Sequence, residues 1–494
     1  LQRPLTKMPK SGMVQQKLGE IEPLEIKDAF IAIISWEKKQ SKVLAGFRFK
    51  GGEDKVEKII GEWREHMHLH SPFTQHQTID YESHRIEVAH EGELTIATVY
   101  DGNWFFAGND VATLKTLLDR ADGRLKDSAS TLAVDENFIA ASKHLPTVYA
   151  ARAYARVDKY FDSLTSELAK DDGSSDRFTL LRKIHTISAA TTFENGKIRD
   201  LVFVEMPKAE EGELTRASLS LATHDAIFYA AGFLKLPHRL PTAPGAALPG
   251  LPAVTQRFIG ALSASGATTE SFKAAFGTET GVIGEWSANA RIPMFFATLP
   301  VKDFAKANEF VGKIVGAMSE EQPWTRSEKD GVQYFSQPPA NPMLPIAATI
   351  ALSQDRLVGG HDLAGVENIM KRGASHGSEL VDSDTFKAAE HALPAGKDLF
   401  VYVDTALLYG RLDAALRPML IMAAAFMPNI ADTVDLGKLP EPEIVTKHLS
   451  PITMIQRYEN DGYIMESIGP ISLFQAVGVI GAGASVGKDF YNPK

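Results

Sequence analysis

The sequence predicts an α+β protein built from two tandem, pseudo-symmetric repeats, each a mainly antiparallel sheet packed with helices. Three observations predict it. Gly108-Asn109-Asp110, followed by Val111, Leu114, Leu117 and Leu118, recurs as Gly360-His361-Asp362 followed by Leu363, Val366, Ile369 and Met370, a displacement of 252 residues (110 to 362). Phe138, Ala140, Ala141, Leu145 and Pro146 recur as Phe386, Ala388, Ala389, Leu393 and Pro394, a displacement of 248 (138 to 386). Thr192-Phe193-Glu194-Asn195-Gly196 resembles Arg457-Tyr458-Glu459-Asn460-Asp461-Gly462, displaced by 265 (194 to 459). The order is kept while the displacement drifts, as loop insertions and deletions in a duplicated gene would produce.

Taken in order, Phe30 to Ile34 and Val43 to Phe49 read as strands, rich in apolar and β-branched residues. Gly51-Gly52 breaks the second, and Val56, Ile59, Ile60 and Trp63 then recur at helical spacing. Strands around Ile86 to Ala89 and Leu94 to Tyr100 form a hairpin. Asp101-Gly102 makes the next turn, and Trp104-Phe105-Phe106 continues the ladder. Asp110 offers an N-cap to a helix that ends near Gly123. After Leu145-Pro146 and Leu393-Pro394 come strands at Val148 to Val157 and Leu399 to Val403. Asp158 and Asp404 then open further helices.

These elements divide the chain into an N-terminal arm (1–24), a first α+β repeat (25–212), a connecting segment (213–255), a second repeat (256–470) and a glycine-rich tail (471–494). The connecting segment carries Pro237, Pro241, Pro244, Pro249 and Pro252, which favour an extended, semi-rigid strap.

A chain of 494 residues is too long for one ordinary core. Its net charge of −10 leaves no basic face for a phosphate backbone, so nucleic acid is not an expected partner. Absence of cysteine excludes disulfides, thiolate metal sites and cysteine nucleophiles. No apolar run reaches the roughly 20 residues of a membrane-spanning helix. The chain begins at Leu1, and a removed signal peptide is the expected reason.

Candidate chemistry is sparse. His66, His68 and His70 would converge on one face of an extended segment and form a zinc or copper site there. The second repeat has Ser319-Glu320-Glu321-Gln322 instead, and a solvated cluster at a helix end is the competing interpretation. The tail Gly478 to Lys488 lacks the spacing of a phosphate loop, since Ala482 and Asp489 stand where glycine and Ser or Thr are needed. Neither a nucleophile elbow nor a His-Glu-x-x-His helix occurs. No cofactor is expected. Three single-copy segments are more apolar than exposed chain should be. They are the strap with Leu240, Leu248 and Leu251, the helix around Leu407 to Met427 with Met419, Met422 and Phe426, and the tail from Ile471 to Gly487. The strap reads first as packed along a lobe and the methionine stripe first as core, with an apolar binding surface as the alternative. Residues of the strap and the helix are the candidate partner-binding positions.

Ser271-Phe272-Lys273-Ala274-Ala275-Phe276-Gly277-Thr278-Glu279-Thr280-Gly281, with the paired Gly-x-Asp helix starts and the paired Phe-to-Leu-Pro helices, resembles a bacterial family of uncharacterised exported proteins with duplicated α+β lobes. The resemblance spans most of Asp28 to Pro470 and implies a periplasmic, cell-surface or secreted location, with no activity to carry over. The expected function is a non-enzymatic binding or assembly protein of a bacterial envelope, acting on a protein partner or as a homo-oligomer. The alternatives are a carrier of an apolar, lipid-like ligand between the lobes and a metal-binding protein using the histidine cluster.

Overall fold

The structure is a computed structural model that describes residues 24–36, 41–68, 75–91, 94–125, 131–161, 181–208, 212–234, 264–319, 323–339, 346–372, 379–426 and 440–472. The strap, nearly all of the N-terminal arm and of the tail, His70, Leu240, Leu248 and Leu251 lie outside the described residues. The described chain forms two compact units, one up to Asp135 and one from Glu136 onward.

The first unit contains β1 (Asp28–Ser35), β2 (Lys42–Arg48), α1 (Glu53–His68), β3 (Gln75–Tyr81), β4 (His84–Glu91), β5 (Leu94–Asp101), β6 (Trp104–Gly108) and α2 (Val111–Ala121). Its strands form one antiparallel sheet in the order β1-β2-β6-β5-β4-β3. Successive strand residues point to opposite faces, which lets a single strand serve two helices. Phe105 packs with Val56 and Ile59 of α1, and the next residue, Phe106, packs with Leu114 and Leu118 of α2. The expected turn is present between β5 and β6, where Gly102 supplies a positive φ of 55°. Asp110 caps α2 as expected, its Oδ2 accepting from the Thr113 amide at 2.9 Å and from the Thr113 hydroxyl at 2.6 Å.

The second unit opens with α3 (Glu136–Ser142), β7 (Ala151–Arg156), β8 (Thr186–Glu194), β9 (Lys197–Glu205) and β10 (Ala226–Phe233). There follow α4 (Thr269–Ala275), β11 (Glu279–Glu285), β12 (Met294–Pro300), α5 (Phe304–Met318), β13 (Thr325–Lys329), β14 (Val332–Ser336), β15 (Thr349–Leu352), β16 (Arg356–Gly360) and α6 (Leu363–Arg372). The chain continues through α7 (Glu379–Asp382), α8 (Asp384–Glu390), β17 (Leu399–Val403), α9 (Thr405–Phe426), α10 (Pro442–Thr446), β18 (Ile452–Glu459) and β19 (Gly462–Gly469). All thirteen strands join one antiparallel sheet, β13-β14-β15-β16-β12-β11-β10-β17-β18-β19-β9-β8-β7. The fold is α+β. The strand after Leu145-Pro146 is shorter than expected, because its ladder with β8 begins only at Ala151, where the Ala150 amide donates to Thr191 O at 2.8 Å.

The two series of elements agree in pairing as well as in order. Leu44 pairs with Gly108 and Phe296 with Gly360, each partner displaced by 252 residues. Tyr81 pairs with His84 and Lys329 with Val332, displaced by 248. Ala151 pairs with Thr191 and Leu399 with Gln456, displaced by 248 and 265 respectively. A side-chain detail repeats too. The Val43 amide donates to Asn109 Oδ1 at 2.7 Å, and the Phe295 amide donates to His361 Nε2 at 3.2 Å, the same two positions 252 residues on. At both Gly108 and Gly360 a Cβ would stand 3.0 Å or less from a neighbouring atom, Val43 O or Val366 Cγ2, so both strand ends need glycine.

Where the series meet, β9 pairs with β19 and Leu201 lies opposite Glu466, the position 265 residues after it. This contact draws β7, β8 and β9 out of the first sheet's unit and into the second. The compact units therefore divide after Asp135, although the first series of elements runs on to Glu205. Glu466 is buried at this meeting point. Arg199 Nε donates to its Oε1 at 2.7 Å and Arg457 Nη1 to its Oε2 at 3.0 Å.

Two predictions follow from this geometry. Replacing Glu466 by Gln leaves two partly buried guanidinium groups facing a neutral amide. We expect a loss on the order of 2 kcal/mol, below the roughly 3–5 kcal/mol of fully buried pairs because Arg199 keeps contact with water. A lower urea midpoint with unchanged slope is the readout, and an unchanged midpoint would refute it. Asp110→Ala removes a cap of about 1 kcal/mol. The Thr113 hydroxyl holds the Asp110 carboxyl below its usual range against the opposing effect of burial. Its contribution is thus complete above the ordinary carboxylate value of about 3.9 and lost as pH falls through the lower folded value. Hydrogen exchange in Val111–Ala121 should be faster in the variant at neutral pH and indistinguishable from wild type in strong acid.

Candidate docking surface

The helix α9 begins on well-fixed backbone. Asp404 Oδ1 accepts from the Leu407 amide at 2.8 Å, and its Oδ2 accepts from the Tyr402 hydroxyl at 3.1 Å. Burial, with Asp404 adding to it, pushes the Tyr402 hydroxyl far above its usual range, so it stays a donor. The first turns are then tied to the sheet. Thr405 Oγ1 donates to Ser450 O at 2.8 Å, and Arg411 reaches Trp286 O at 2.8 Å and Asp225 Oδ1 at 3.0 Å. One turn on, Arg417 grips Asp413 through Nε and Nη2 at 2.9 and 2.7 Å and donates to Pro440 O at 2.8 Å. The pair fixes the helix against the chain that leads into α10.

Among the described residues no side-chain bond anchors the helix beyond Arg417, while the helix continues to Phe426. Pro418 carries no amide, so the Ala414 carbonyl loses its helical partner there. Met419, Leu420, Ile421 and Met422 follow, exposed by 60%, 36%, 54% and 58%. Leu412 and Leu416, at 38% and 48%, extend this surface along the face that also carries Met419, at spacings of four and three residues. No charged side chain interrupts the sequence from Pro418 to Phe426. The arrangement offers a tied base and an exposed, apolar, polarizable stretch, suited to packing against another apolar surface. No helix among the described residues is long and apolar enough to cross a membrane.

The structure places the other sequence-predicted residues as follows. Met419 and Met422 share the exposed end of α9, and Phe426 closes the helix with its side chain outside the described residues. His66 and His68 lie in the last turn of α1, so the backbone there is helical and not extended. Residues two apart on a helix do not share a face, so the extended backbone expected for His66 and His68 is not present, while their side chains and His70 lie outside the described residues.

A different titratable cluster stands in the first unit. His84, Asp101 and Asp122 each bring a ligand atom within 4.8 Å of the others, a donor set chemically suited to a divalent cation. It was invisible to spacing because a hairpin turn, a strand end and a helix end supply one residue each. The carboxylate of Asp122 is already engaged, with His84 Nε2 at 3.0 Å and Arg124 Nη1 at 2.5 Å on the same oxygen. Arg124 also holds Asp119 at 2.9 Å, and the Tyr81 hydroxyl donates to Asp119. A guanidinium at the mouth of the triad competes directly with a cation, so the cluster is an ion-pair lock on the end of α2. In the second unit Lys208, Glu213, Lys397, Asp398 and Tyr458 line a small polar depression of about 220 Å3. No family model, curated protein or solved structure matches the chain.

The lock has a measurable signature. The hydrogen bond from His84 holds the Asp122 carboxyl below its usual range, partly opposed by burial and assisted by Arg124. Its contribution is present above the ordinary carboxylate range and lost as pH falls through the depressed value. Carbon-detected NMR titration should give Asp122 a midpoint below about 3.9, and His84→Ala should move it upward. A normal midpoint that His84→Ala leaves unmoved would show that the contact does not persist in solution.

Proposed function

We propose that this chain is a non-enzymatic binding or assembly protein of a bacterial envelope, and that the apolar end of α9 seats its protein partner, a second copy of the chain being the first candidate. The observation that carries the reading is the run Met419 to Met422, four exposed apolar residues on a helix whose base is tied down by Asp404, Arg411 and Arg417. Exposure of such a run costs solubility, and a partner that covers it removes that cost. An extracytoplasmic location is proposed on the resemblance carried by Ser271 to Gly281 and by the paired motifs. An internal duplication is proposed on the shared displacements of the strand registers and on Leu201 facing Glu466.

The same surface also suits a lipid-like ligand, and one experiment separates the two. Met419→Asp with Met422→Asp changes only exposed side chains and should leave folding stability within about 0.5 kcal/mol. Sedimentation velocity of the full chain should show concentration-dependent self-association that the double variant abolishes. A monomer whose binding to phosphatidylglycerol vesicles disappears in the variant would transfer the surface to the lipid alternative. A monomer that binds no vesicles, with the variant indistinguishable from wild type, would sink both.

A further inference from the structure

Each sheet has two outer strands, and three of the four protect themselves in the usual way, with charged or polar side chains along the edge. β13 reads Thr-Arg-Ser-Glu-Lys, β7 carries Arg152 and Arg156, and β3 carries His76, Gln77 and Asp80. β1 is the exception. From Ala29 to Ile34 it reads Ala-Phe-Ile-Ala-Ile-Ile, six residues with no charge, proline or glycine. Phe30, Ile31 and Ile33 are exposed by 37%, 76% and 49%. Among the described residues β1 pairs only with β2.

The second series shows what completes this edge. Ala32 pairs with Leu44 and Ile283 pairs with Phe296, which makes β11 the counterpart of β1. Unlike β1, β11 is covered on its outer edge by β10, antiparallel, with Ala231 opposite Gly281, Ala230 opposite Val282 and Tyr229 opposite Ile283. Ile283 and Tyr229 become fully buried as a result. The counterpart positions in β1 are Phe30, Ile31 and Ala32, two large residues and one small. A strand with a tyrosine followed by two alanines, added antiparallel, complements that profile, small opposite large and large opposite small. On one face the platform is already aromatic, for Phe30 lies 6.1 Å from the Trp104 ring and 6.2 Å from that of Phe106.

We propose that the outer edge of β1 accepts an extended, uncharged strand donated by a partner protein, added antiparallel across Ala29 to Ile33 in the manner of β10 on β11. Main-chain hydrogen bonds supply the affinity, and the alternation of large and small side chains at Phe30, Ile31 and Ala32 sets the register. A symmetric contact with a second copy is disfavoured. Pairing of one short strand falls well below the roughly 1,200 Å2 that a stable interface buries. The proposal concerns the first unit alone and does not depend on the role of α9.

The test uses the full chain and a peptide of the chain's own Ala226–Phe233 sequence, with two lysines at each end for solubility. At saturating peptide, exchange of the Ala29 to Ile33 amides should slow by about tenfold or more, as edge amides gain partners. Ile31→Lys with Ile33→Lys should weaken binding by about tenfold, since like positive charges then line the edge. Ile31→Thr, which keeps the β-branched shape, should weaken it less, and it serves if the double variant folds poorly. Exchange that is already slow in the free chain would show the edge filled from within and overturn the proposal. Binding indifferent to all three substitutions overturns it as well. A dimer that Ile31→Lys dissociates would assign the edge to a second copy instead.

Discussion

The pairing of β9 with β19 is the constraint on which the rest of the second unit depends. Two equivalent strands run antiparallel about a local twofold, so that Leu201 meets its own counterpart, Glu466. This is the geometry of a symmetric dimer interface realised inside one chain. Its first consequence is continuity. β7, β8 and β9 extend β17, β18 and β19, and β10 then links β17 to β11, which leaves thirteen strands in one sheet. Its second consequence concerns charge. A carboxylate at the local axis, almost fully buried, is tolerable only with strong partners, and Arg199 and Arg457 provide them from both sides. Neither arginine has an arginine at its counterpart position, which is Ile464 for Arg199 and Thr192 for Arg457. The symmetry is thus one of backbone, and the side chains have diverged.

β10 explains why similar series end in different architectures. In the second it supplies the strand between β11 and β17, and its Tyr229 and Ala231 are buried in the main core with Ile283 and Phe400. In the first, β1 ends its sheet among the described residues, and the six strands with α1 and α2 form a unit of their own. Small residues make the second arrangement possible. A Cβ on Gly281 would stand about 2.1 Å from Ser218 Oγ, where the first series accommodates Phe30. The side chains of the second series accommodate the covering strand, and Phe30 stands at the matching position of the first.

What was legible in the sequence is what depends on neighbours in the chain. Asp110, Gly102 and the Asn195-Gly196 turn announce a cap and two hairpins, because each acts within four residues. The displacements of 252, 248 and 265 found from apolar spacing and turn residues are the same ones that the strand registers obey. Non-local partners were not legible. The bond between Arg199 and Glu466 spans 267 residues, and the cluster of His84, Asp101 and Asp122 draws on three separate segments. The helical phase of α1 misled in a simple way. Apolar spacing at Val56, Ile59 and Ile60 identified the helix, but with no stop signal before Leu69 it runs on through His66 and His68. For α9 the composition was visible and the exposure was not, since an apolar helix looks the same in sequence whether it lines a core or leaves it.

The two apolar surfaces ask for different partners, and the difference follows from secondary structure. Within a helix most backbone groups are already bonded, so Met419 to Met422 of α9 offer chiefly side-chain packing, sensitive to shape and tolerant of partner chemistry. An edge strand presents backbone amides and carbonyls, so Ala29 to Ile33 of β1, paired among the described residues with β2 alone, can offer directional bonds that hold an incoming chain in one register. A protein that carried only the first surface would be an adaptable binder, and one with only the second a strand acceptor. Both occur here at places where one series departs from the other. Among the described residues β1 has no covering strand where its counterpart β11 has β10, and the methionine-rich end of α9 has no methionine-rich equivalent in the sequence that follows Asp158. Where two series of elements share their turns and registers, the positions at which they stop agreeing are the ones free to take on recognition.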